Sequence, residues 1–72
     1  MRGILHKNKT GRWEIVGDDG SVELTSGSVI EICVAGIWHR TRVEHDGRDY
    51  YSVTPGTALV AGLPARLPNG GA

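Results

Sequence analysis

Every window of eleven residues in this chain contains a glycine, and the longest run without one is residues 37–46. A glycine inside a helix costs about 1 kcal/mol relative to alanine, so no apolar face of helical spacing can build up between them. Val, Ile and Thr recur through the intervals, residues that suit a pleated, half-buried surface. Short strands separated by closely spaced turns follow, and with them an all-β fold.

The best-defined pair is 29–34 with 37–45, joined by Ala35-Gly36. A two-residue loop sets Val34 against Ile37, Ile32 against His39 and Ile30 against Thr41. Alternation then puts Ile30, Ile32, Val34, Ile37, Thr41 and Val43 on one side. The other side pairs Cys33 with Trp38, Glu31 with Arg40 and Val29 with Arg42. Opposite charges directly across a pair add about 0.2–1 kcal/mol, which supports this register.

Asp46-Gly47 leads into a partner strand over 48–54. A three-residue loop here sets Val43 against Tyr51, Thr41 against Val53 and His45 against Asp49. It avoids the Glu44–Asp49 like-charge pair of a two-residue loop, and it turns Tyr50 outward beside Glu44. Upstream, strands are expected at 3–6, 12–16 and 21–24, with turns at Asn8-Lys9-Thr10-Gly11 and Gly17-Asp18-Asp19-Gly20. Downstream, 57–61 suits a short 3₁₀ turn and 64–67 a last strand. Trp13 and Ile15 share a face and join Ile30, Ile32, Val34, Val43, Tyr51 and Val53 in the expected core. Consecutive hairpins of this kind predict a small SH3-like antiparallel barrel of five or six strands. It occupies 1–67 as one domain, with 68–72 as a flexible tail.

The strings Gly11-Arg12-Trp13, Leu24-Thr25-Ser26-Gly27, Val29-Ile30-Glu31-Ile32 and Gly36-Ile37-Trp38 resemble a family of small proteins known as a domain of unknown function. Thr41-Arg42-Val43-Glu44, Tyr50-Tyr51 and the closing 59–67 extend the resemblance over about 3–67. The family is found in Firmicutes and their phages and mobile elements. The resemblance implies a compact β-barrel that travels on mobile DNA, and it carries no activity across.

Seventy-two residues suffice for one domain that buries only about 60% of its unfolded surface. With no Phe in the chain that core is thin, which leaves homo-oligomerisation open. Lys+Arg and Asp+Glu balance at eight each, without the basic excess typical of a nonspecific nucleic-acid binder. Cys33 stands alone, so an internal disulfide is excluded and a reducing, cytoplasmic setting is expected. The first residues lack a signal-peptide apolar stretch, and no run approaches the roughly 20 apolar residues of a membrane span.

Catalysis and metal binding find little support. His39 and His45 lie six apart on one strand, about 20 Å, while Cys33 and His39 take opposite faces. Ser21, Ser26, Ser28 and Ser52 lack a Gly-x-Ser-x-Gly setting, and Asp18-Asp19 reads as turn chemistry. Cys33 has no cationic neighbour to activate it, and no glycine-rich phosphate loop precedes a helix. The expectation is a non-enzymatic module with no metal and no cofactor. Its candidate contact face is Trp38, Arg40, Arg42 and Tyr50, since Trp, Tyr and Arg are enriched at binding hot spots. Three functions stay open: a protein-binding module, which zero net charge favours; a nucleic-acid-binding barrel; and an inhibitor that sequesters a host effector or nucleotide signal.

Overall fold

The computed structural model of the protein describes residues 2–54 and 56–68, with backbone alone at 57 and 58. The described residues form β1 (Arg2–Lys7), β2 (Trp13–Gly17), β3 (Gly20–Glu23), β4 (Val29–Val34), β5 (Ile37–His45), β6 (Tyr50–Ser52), β7 (Thr57–Ala58) and β8 (Pro64–Arg66), and no helix. All pairings are antiparallel, in one sheet of order β3-β2-β1-β8-β4-β5-β6-β7. Among the described residues β3 and β7 remain the two edges, so the sheet is not closed.

The sheet nevertheless curls. Eight strands laid flat at about 4.8 Å would span roughly 34 Å between the outer axes, yet the longest extent of the molecule is 30 Å. A single flat layer also leaves both faces wet, whereas Ile15, Ile30, Ile32, Val43 and Ala65 are wholly buried. β5 makes the bend possible, pairing with β4 along 37–42 and with β6 along 43–45. Leu5, Trp13, Leu24 and Leu59 complete the core within the curl.

The β4–β5 hairpin has the predicted register from Val29↔Arg42 to Val34↔Ile37. Ala35 and Gly36 both take positive φ, 53° and 79°, as a primed turn demands. Ile37 has the core-side parity but sits at the hairpin tip, beyond the core, and is 61% exposed.

The next hairpin differs. His45 pairs with Tyr50, Glu44 with Tyr51 and Val43 with Ser52, leaving a four-residue loop at 46–49. The Asp46 carboxylate accepts the amides of Arg48 and Asp49 at 2.8 and 2.9 Å, and the Asp46 amide donates to the Asp49 carbonyl. That Asx-type closure uses one residue more than a three-residue loop allows. A one-residue slip reverses every side chain beyond it. Ser52 is therefore fully buried, Tyr51 takes the outer parity half-buried, and Val53 is 42% exposed. Buried Thr41 accepts the Thr54 amide with its hydroxyl at 2.8 Å.

At 57–58 the backbone forms β7 against β6 in place of the expected 3₁₀ turn. Pro68, placed in the tail by sequence, is buried, and the rest of that tail lies outside the described residues. No helix among the described residues is long and apolar enough to cross a membrane.

Candidate functional site

Two rows of side chains cross the outer face of the sheet. Leu5 points into the core, so Ile4 and Arg2 point out. Ile4 pairs with Val16 of β2 and with Pro64 of β8. Glu31↔Arg66 and Ile32↔Ala65 bring the next outward residue of β4, Cys33, beside Pro64, and Cys33 pairs with Trp38. The first row is therefore Val16, Ile4, Pro64, Cys33 and Trp38, apolar across five strands. Ile4, between Val16 and Pro64, is 49% exposed. The second row runs alongside it as Arg2↔Arg66↔Glu31↔Arg40.

The rows meet at Trp38. The Arg66 guanidinium lies 3.9 Å from the indole centroid and that of Arg2 5.5 Å, both within cation–π range. Arg66 Nε also donates to Glu31 Oε1 at 2.7 Å, while Arg40 Nε stands 3.8 Å from Oε2 of the same carboxylate. Arg42 pairs with Glu44 two residues along its own strand, and Glu44 accepts the Ser26 hydroxyl as well. Arg2 makes no ion pair within the described residues; its guanidinium lies over the indole. Arg2 and Arg66 are directly opposed, an arrangement that costs some stability between like charges. Four of the eight Lys and Arg residues thus gather here, against two glutamates.

Gly3 seats this surface. A Cβ there would stand 1.9 Å from the Val16 carbonyl oxygen, so only glycine lets β1 lie so close to β2. An open cleft of about 590 Å³ lies at that end of the apolar row, lined by Arg2, Gly3, Ile4, Val16, Gly17 and Asp18.

Three of the four residues expected at a contact face, Trp38, Arg40 and Arg42, lie on this outer side. Tyr50 does not. The longer loop places it opposite His45, edge-on with ring centroids 4.7 Å apart, and packed against the core. Sequence reasoning missed Arg2, Ile4, Pro64 and Arg66, because their neighbours come from pairings between chain ends that no local pattern reveals. The one available signal was the outward parity of Ile4 beside Leu5.

Away from this face, two carboxylates accept amides at the 46–49 turn. Asp46 is held below the usual carboxylate range by the Asp49 and Arg48 amides, and Asp49 by the Tyr50 amide and then by Lys7 and Trp13. No group of three or more His, Cys, Asp or Glu among the described residues could hold a metal ion. A family model described as a domain of unknown function (DUF5348) matches residues 2–67. Comparison with curated proteins and with solved structures finds no match.

Proposed function

The chain belongs to this family across residues 2–67, and since that description assigns no activity, we propose a function from the surface: a non-enzymatic protein-binding module that engages its partner through the outer face around Trp38. The scaffold we read as an SH3-like barrel left open between β3 and β7.

The observation that carries the proposal is the apolar row from Val16 through Ile4 and Pro64 to Trp38. An antiparallel sheet with one face on a core ordinarily keeps its other face polar. Here the core is formed on the inner side by other residues, and Ile4, Val16 and Pro64 of the outer row stay exposed among the described residues, while Trp38 is half-buried beneath Arg66. Exposed apolar side chains in contiguous rows, rimmed by charge, mark interaction surfaces. Trp38 and its arginines supply the residue types that dominate binding energy at such places.

Nucleic acid is the second reading, favoured by the gathering of four arginines. Against it, the indole face that would stack on a base is covered by Arg66, Tyr50 is turned inward, and net charge is zero.

Affinity capture from cell extract with the wild type, Trp38→Ala and the exposed-turn control Lys9→Ala tests both. A protein retained by the wild type and by Lys9→Ala should be lost by Trp38→Ala, at a cost above about 1 kcal/mol in binding. Equal capture by all three forms would refute the assignment of this face. Capture that disappears with nuclease or between low and moderate salt would transfer it to nucleic acid.

A further inference from the structure

We infer that the partner segment bound by this face is acidic and extended, with apolar and carboxylate side chains in alternation. The inference rests on the proposed contact surface and adds the chemistry of what covers it.

The two rows lie side by side on the same strands, two residues apart, or about 6.6 Å. A chain running between them across the strands can send successive side chains to opposite sides. One set meets Ile4, Pro64 and Val16; the other meets Arg2, Arg66 and Arg40, three arginines against the single carboxylate of Glu31, which Arg66 already engages. The apolar row crosses five strands, about 19 Å, which is the length of roughly six extended residues.

Charge selects the second set. Arg2 and Arg66 are opposed with no carboxylate between them, and Arg2 has no ion pair among the described residues. Arg66 is held between the indole and Glu31, so its guanidinium is ordered in advance. An ordered guanidinium beside one that has no ion pair among the described residues suits carboxylates, which accept charge-assisted, often bidentate, hydrogen bonds. The same arrangement opposes a second copy: a symmetric contact would set the four arginines against themselves.

Fluorescence anisotropy with the whole protein tests this, using four labelled octamers: alternating Leu and Glu, alternating Leu and Gln, alternating Leu and Lys, and octathymidylate. The Leu/Glu peptide should bind, at least tenfold more tightly than Leu/Gln, with Leu/Lys weaker still. Arg2→Glu should lower Leu/Glu affinity at least tenfold. The variant should still melt cooperatively, because Arg2 is exposed and contributes no core atom, and a glutamate opposite Arg66 replaces a like-charge pair with an opposite-charge one. Equal binding of Leu/Glu and Leu/Gln, both abolished by Ile4→Asp, would overturn the acidic preference while leaving the contact surface intact. Preference for octathymidylate overturns the inference in favour of a phosphodiester. Binding of no octamer overturns it outright, and the capture experiment then decides separately whether the face binds protein.

Discussion

Replacing Gly3 by alanine should unfold the edge of the surface on which the proposed function depends. Gly3 pairs with Ala65, whose side chain is fully buried, so a methyl group on Gly3 would point inward. Its three nearest neighbours would all be backbone: the Val16 oxygen at 1.9 Å, the Val16 carbonyl carbon at 2.4 Å and the Gly17 nitrogen at 2.8 Å. Backbone within a ladder cannot rotate away as a side chain can. Opening the closest contact to even 3.0 Å would require β1 and β2 to part by more than 1 Å. That movement disrupts about two ladder hydrogen bonds near Ile4↔Val16, each worth about 0.5–1.5 kcal/mol net. Residual overpacking adds about 1–3 kcal/mol. The expected loss is about 3–4 kcal/mol, against a total stability of roughly 4–11 kcal/mol for a domain this size. At about 4–8 °C per kcal/mol, the melting temperature should fall by at least about 12 °C. Urea and thermal unfolding followed by tryptophan emission, from buried Trp13 together with half-buried Trp38, read this. His6→Ala, at an exposed site of the same strand, should stay within about 0.5 kcal/mol. A Gly3→Ala protein less than 1 kcal/mol below wild type would refute the steric reasoning and the close β1–β2 approach with it.

Ala35 holds φ at 53°, which a Cβ disfavours and asparagine tolerates, so Ala35→Asn should raise stability by up to about 1 kcal/mol in urea melts. Asp46 and Asp49 have folded pKa values below their unfolded ones, which makes the 46–49 loop acid-sensitive. Their contribution is full above an unfolded value of about 3.9 and is lost as pH falls through the lower folded values. Amide exchange at Arg48, Asp49 and Tyr50 should accelerate in that window relative to β4, and Asp46→Asn should remove much of the pH dependence at Arg48 and Asp49.

What could be determined from sequence was whatever the chain settles locally. Ala35-Gly36 admits one tight turn, and alternation then carries the register of β4 and β5 outward from it, so Trp38, Arg40 and Arg42 were assignable to the outer side. The neighbouring hairpin resisted the same logic because its loop length depends on the Asp46 carboxylate gathering two amides. Charge avoidance suggested one residue fewer, and that single residue exchanged the faces of Tyr50 and Tyr51. Tertiary structure alone decided that β8 inserts between β1 and β4. That placement buries Ala65 beside Ile32, and it turns residues 2, 66 and 31 into neighbours across the sheet. Periodicity states which face a residue takes, but not which strands lie alongside. The pairing that buries the most apolar surface settles that, and it joins the arginines of the two chain ends to Trp38.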